Sequence, residues 1–150
     1  MEQYIWLIPL IPFIGFLING LGRNVLSKSL VTFIGSGAVL ASFILSVMVF
    51  IAVPSGAGAQ PLIFKAFDLI QLPTLNVPFA FQIDALTSLF LLIITGVGFL
   101  IHVYSSAYMS KDKGFAKFFS YLNLFIFFML ILVMGNNFVM MFIGWEGVGL

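Results

Sequence analysis

The chain has 150 residues, of which 62% are hydrophobic and 7% charged, with a formal net charge of +1. Soluble domains carry about 25% charged residues, so this composition excludes a water-soluble globular domain and describes a chain made for a bilayer. The small net charge offers no hold on nucleic acid, and the lack of cysteine removes disulfides, thiolate metal ligands and thiol nucleophiles.

Crossing the hydrocarbon core takes about 20 apolar residues as a helix. The first run, residues 4–21, follows an acidic Glu2 rather than a basic leader, so it reads as a retained span and not a secretory signal. Pro9 and Pro12 lie inside it. Each proline removes a backbone donor, and the carbonyl it frees must be satisfied by a neighbouring group. Residues 30–53 form the second run, with Gly35, Ala38, Ser42 and Ser46 at three- and four-residue steps. Such a stripe of small residues suits close helix approach. Proline and glycine then break the pattern from Pro54 to Pro61, and two short apolar stretches, 62–72 and 75–83, flank Pro73-Thr74. They read as a β-hairpin outside the membrane.

The third run covers residues 84–108. Asp84, Thr87, Ser88, Leu91, Thr95, Gly98, His102 and Ser105 recur at helical spacing, so a largely polar or small face runs down an otherwise apolar helix and should turn toward protein or internal water. Asp84 and His102 share that face but lie 18 residues apart, roughly 27 Å at helical rise, too far to touch. Asp84 is read either as a helix N-cap or as a functional carboxylate. His102 is read either as a satisfied inward histidine or as a proton relay. After Lys111, Asp112, Lys113 and Lys117 comes a fourth run, 118–134, then the polar turn Gly135-Asn136-Asn137, and a fifth run from 138 to 150, too short to cross. The expected fold class is therefore all-α: a polytopic transmembrane helix bundle of four spans plus the start of a fifth, the N-terminal membrane part (1–150) of a longer chain.

Basic residues of short loops mark the cytoplasmic side. Arg23 and Lys28 follow the first run and Lys111, Lys113 and Lys117 follow the third, an even number of spans apart. The N-terminus, the hairpin and the Asn136-Asn137 turn then fall together on the periplasmic side. Glu146 lies ten residues past Asn136 of the turn that opens the fifth run, about 15 Å below that surface and near the midplane of a core about 30 Å thick. It is the one charge in that run. A carboxylate at that depth is costly and points either to function or to a neutral group fixing helix packing. Lys117 lies about 11 Å nearer the cytoplasm, so a counter-charge for Glu146 must come from later residues or another subunit. Gly144, Gly147 and Gly149 around it serve either tight packing or local flexibility.

The motif Gly144-Trp145-Glu146-Gly147-Val148-Gly149-Leu150 resembles the start of the glutamate-bearing helix of the subunit L family of bacterial respiratory complex I, NADH–quinone oxidoreductase. Thr95-Gly96-Val97-Gly98-Phe99-Leu100-Ile101-His102-Val103-Tyr104-Ser105 and Phe115-Ala116-Lys117-Phe118-Phe119-Ser120-Tyr121-Leu122-Asn123-Leu124-Phe125 are similar to that family as well, in matching order. The resemblance implies an antiporter-like proton-translocating subunit in which Glu146 pairs with a lysine on a later helix, with His102 and Asp84 as auxiliary polar residues. It also implies no cofactor or metal on this chain. NADH, FMN, iron–sulfur clusters and quinone belong to other subunits of the complex, and the partners are the lipid bilayer and other complex I membrane subunits, especially a neighbouring antiporter-like one. It implies the bacterial inner membrane as location. Two other readings stand beside it. One is the A-type member of the multi-subunit cation/proton antiporters, which usually follows its tryptophan–glutamate pair with residues unlike Gly147-Val148-Gly149; the other is a non-catalytic helical scaffold.

Overall fold

A backbone in hydrocarbon must satisfy its own polar groups, so long apolar runs become helices. In the computed structural model, which describes residues 2–54, 56 and 58–150, five do. Helix α1 spans Leu7–Leu21, α2 Lys28–Ala52, α3 Ala85–Tyr108, α4 Phe115–Met134 and α5 Phe138–Gly149. Three of them, α2, α3 and α4, have the length and apolar composition to cross a membrane. Of the expected spans, the first is a shorter helix of 15 residues behind a 3-10 turn at Glu2–Tyr4, and the fifth has 12 residues. Helices α2 and α4 begin two and three residues earlier than the apolar runs, because Lys28 and Lys117 are good helix formers that hold their charged ends outside.

The hairpin forms on the expected residues. Strand β1, Leu62–Leu72, pairs antiparallel with β2, Leu75–Ile83, from Leu62 opposite Ile83 to Leu72 opposite Leu75 across the two-residue Pro73-Thr74 turn. Register shifts beside Ala66 and Leu69 twist β1, and Phe67 stacks on Phe79 at 5.0 Å. Of the turn signals before β1, Ser55 and Ala57 lie outside the described residues. Strand β2 is the buried one, through Val77, Ala80, Phe81 and Ile83. The Gly135-Asn136-Asn137 turn holds it from the side: Asn136 N donates to Ala80 O at 3.1 Å and Asn137 Nδ2 to Pro78 O at 2.8 Å. The same Asn137 caps α5, its Oδ1 accepting from Met140 N at 3.0 Å. Hairpin and turn therefore share one end of the bundle, as the spacing of basic loops requires. At the other end Lys28 Nζ donates to Ser110 O and lies over the Phe115 ring, joining the two basic loops.

Inside, the small-residue stripe of α2 meets the prolines of α1. Pro12 sits within α1 and cannot donate to Ile8 O, and Ser42 Oγ donates to that carbonyl instead at 2.8 Å. The carbonyl that Pro9 leaves, Ile5 O, accepts from Ile8 N at 3.2 Å. Helix α5 lies against α4 through glycine. A Cβ on Gly144 would stand 2.5 Å from the backbone nitrogen of Leu132, and one on Gly147 would stand 2.2 Å from the Phe128 ring. Packing is what these two glycines serve, whereas nothing lies near Gly149.

Ser42→Ala should lower the unfolding midpoint in detergent, costing about 1 kcal/mol for a buried carbonyl left without a donor. In a Pro12→Ala background, where residue 12 again donates, the same change should cost clearly less; equal losses in both backgrounds would refute the pairing. Gly144→Ala should cost about 1–3 kcal/mol, the usual penalty for overpacking, measured by the same unfolding transition.

Candidate functional site

The polar face of α3 turns inward. Ser88, Leu91, Thr95, Gly98, His102 and Ser105 are all buried, and the hydroxyls are satisfied along their own helix: Ser88 Oγ donates to Ala85 O and Thr95 Oγ1 to Leu91 O, at 2.8 and 2.6 Å. At its head Asp84 is exposed. Its Oδ1 accepts from Thr87 N at 2.7 Å, the geometry of an N-cap. That backbone hydrogen bond holds the Asp84 carboxyl below the usual carboxylate range.

His102 is fully buried. Its Nδ1 lies 2.7 Å from Gly98 O. A carbonyl only accepts, so Nδ1 carries the hydrogen and Nε2 keeps a free lone pair in the neutral ring. The Phe119 ring stands nearly perpendicular to it, the ring centres 5.8 Å apart, and the Asn123 side chain faces it from α4. Asn123 Nδ2 donates to Phe119 O at 3.1 Å, and Asn19 Nδ2, from α1, donates to Val31 O at 3.3 Å. The two amides converge on Gly35 of α2: a Cβ there would stand 3.0 Å from Asn123 Nδ2 and 3.1 Å from Asn19 Nδ2. Four side-chain atoms buried in this region have no hydrogen-bond partner in the protein: Asn19 Oδ1, Ser36 Oγ, His102 Nε2 and Asn123 Oδ1. Each comes from a different helix, and three of the four accept only.

Sequence reasoning found His102 and missed Asn19, Ser36 and Asn123. The signal was present, since Asn19 and Asn123 are isolated amides inside apolar runs, and an amide in hydrocarbon needs partners as surely as a charge does.

Glu146 is elsewhere. It stands on the exposed part of α5, beside Trp145 and on the side away from Met140 and Gly144, which face α4. Among the described residues the sole ion pair joins Lys65 to Asp68 on the hairpin, so Glu146 has no counter-charge there. The three expected site residues are thus not brought together: Asp84 caps one end of α3, His102 lies toward the other, and Glu146 is on α5. Among the described residues no three His, Asp or Glu side chains converge as metal ligands would.

A bundle of apolar helices, three of them long enough to cross a bilayer, with an inward polar face and a two-stranded hairpin at one end is a multi-pass membrane protein. Residues 69–119 match the family described as NADH-Ubiquinone oxidoreductase (complex I), chain 5 N-terminus. Over 143 residues, 95% of the chain, it is 38% identical to NADH-quinone oxidoreductase subunit L of Rickettsia conorii, covering 22% of that protein. Identity is 40% over 151 residues with subunit L of Mycobacterium tuberculosis, covering 99% of this chain and 23% of the relative. It is also 40% over 141 residues with NADH-ubiquinone oxidoreductase chain 5 of Podospora anserina, covering 93% and 21%. The likeness to subunit L of respiratory complex I is thereby borne out along nearly the whole chain, which spans about a fifth of the length of the curated relatives it matches.

As an N-cap, Asp84 should be replaceable by Asn but not by Ala: Asp84→Ala should cost about 1 kcal/mol and Asp84→Asn much less. Because folding lowers its pKa, the stabilisation from its charge is fully present above the unfolded value and is lost as pH falls through the folded one. Unfolding midpoints of wild type and Asp84→Asn should therefore converge in acid; a gap that persists there would contradict the cap.

Proposed function

We propose that this chain is the N-terminal membrane part of an antiporter-like subunit of a proton-pumping NADH–quinone oxidoreductase. Redox chemistry occurs on other subunits, which carry NADH, FMN, iron–sulfur clusters and quinone, and this subunit takes part in moving protons. Its setting is the bacterial inner membrane, with the N-terminus on the periplasmic side and other membrane subunits of the complex, including a neighbouring antiporter-like one, as partners.

Glu146 is the proton-transferring carboxylate. The observation that carries this reading is its position: a carboxylate within an apolar helix, on the part of α5 that α4 leaves uncovered and with no counter-charge among the described residues. An acid held at that depth is stabilised by a basic group brought by another segment, and changing the strength of that pair moves the proton affinity of both members. A lysine from a later helix fulfils that role. His102 and Asp84 act as auxiliary polar residues, Asp84 through its cap on α3. The likeness to subunit L supports the assignment to the complex.

Glu146→Gln in the full subunit within the assembled complex should leave assembly and NADH:quinone electron transfer near wild type while lowering the number of protons pumped per NADH. The readout is proton uptake into vesicles set against NADH oxidation. Wild-type stoichiometry in assembled complexes would refute the role of Glu146.

A further inference from the structure

An open cavity of about 470 Å³ lies at the basic-loop end of the bundle, lined by Lys28, Thr32, Ser106, Ser110 and Phe115 among others. It stands one helical turn from the buried polar cluster on three separate helices. On α3, Ser106 follows His102 by four residues; on α2, Thr32 precedes Gly35 and Ser36 by three and four; on α4, Phe115 precedes Phe119 by four. Each step is about 6 Å or less along the axis. The wall between them is aromatic: Phe115 stacks on Phe119 at 4.8 Å, and Phe119 stands nearly perpendicular to the His102 ring.

The chemistry of the cluster asks for a donor. With Nδ1–H committed to Gly98 O, His102 Nε2 is an acceptor, and the unpartnered amide oxygens of Asn123, whose side chain faces the ring, and of Asn19 accept as well. Buried polar atoms in proteins are satisfied by protein or by internal water. A proton on Nε2 turns that nitrogen into a donor, and the Asn123 side chain facing the ring brings an amide oxygen able to accept from it. We propose that His102 is a proton-binding site served by water entering from this cavity, the proton passing from hydronium to the Nε2 lone pair, leaving water behind, and returning by the same path. Helices α2 and α4 pack against α3; the groups shown against the ring are Gly98 O, Phe119 and Asn123, none of them titratable, and Asn19 of α1 meets Asn123 at Gly35. The charges at this end, Arg23, Lys28, Lys111, Asp112, Lys113 and Lys117, occupy exposed positions. This site rests on the proton-transfer reading for its purpose but not for its geometry, and it lies on a different helix from Glu146.

The test follows deuterium exchange at the ring Cε1–H of His102 by mass spectrometry, in the full subunit within its complex in lipid nanodiscs, from about pH 5 to pH 9, the range in which histidine titrates. The exchange rate should be measurable and trace a sigmoid in pH. Thr32→Val and Ser106→Leu, which make the cavity mouth apolar, should each slow it severalfold while backbone amide exchange in α3 stays unchanged. Thr32→Val keeps the side-chain shape and so tests the route even if the larger substitution disturbs folding. A ring that does not exchange, or a rate indifferent to both variants, overturns the proposal. Glu146→Gln should leave the exchange as it is, so a failure of the pumping assignment and a failure of this site give different results.

Discussion

The hydroxyl of Ser42 donating to the Ile8 carbonyl states in one hydrogen bond the constraint that shapes this bundle. In hydrocarbon no water stands ready to meet a free carbonyl, so a proline in α1 is tolerated because a serine on α2 is placed against it. A buried hydroxyl needs a partner as well, and between α1 and α4 Ser120 Oγ donates to Phe16 O at 3.1 Å. Polar atoms thus pin α1 between α2 and α4, and Asn19 meets at Gly35 the Asn123 side chain that faces His102.

The two ionisable groups inside the helices answer the constraint in opposite ways. His102 turns inward, meets a carbonyl of its own helix through one nitrogen, and leaves the other among amide oxygens. Glu146 turns away from the bundle, because the glycines on its flank press α5 so closely onto α4 that the side carrying the contact has no room for a longer side chain. Close glycine packing on one side and an exposed acid with its aromatic neighbour on the other make α5 a helix with two different faces, one complete within this chain and one offered to whatever covers it.

Much of this was legible in the sequence. Two short apolar stretches flanking Pro73-Thr74 located both strands to the residue, and the three- and four-residue steps on α3 named its buried face in advance. Basic-loop spacing placed the hairpin and the Asn136-Asn137 turn at the same end, and the turn does hydrogen-bond to β2. What escaped was of another kind. A lone amide in an apolar run gives no periodic signal, so Asn19 and Asn123, visible one by one as isolated amides, showed their shared place only once α1 and α4 were seen to converge on Gly35. The glycines around Glu146 admitted two readings because spacing says that a neighbour can come close, not that one does. The full-length first span was overdrawn, since the apolar count from residue 4 runs through a 3-10 turn before α1 begins.

The account depends most on what meets the Glu146 carboxylate. An experimental map of the full subunit in its complex, with side chains resolved around α5, tests this directly. It should show a lysine or arginine nitrogen from another segment within the ~4 Å of an ion pair, with Glu146 enclosed by protein. A carboxylate left among acyl chains, or enclosed with no basic group in reach, would contradict it.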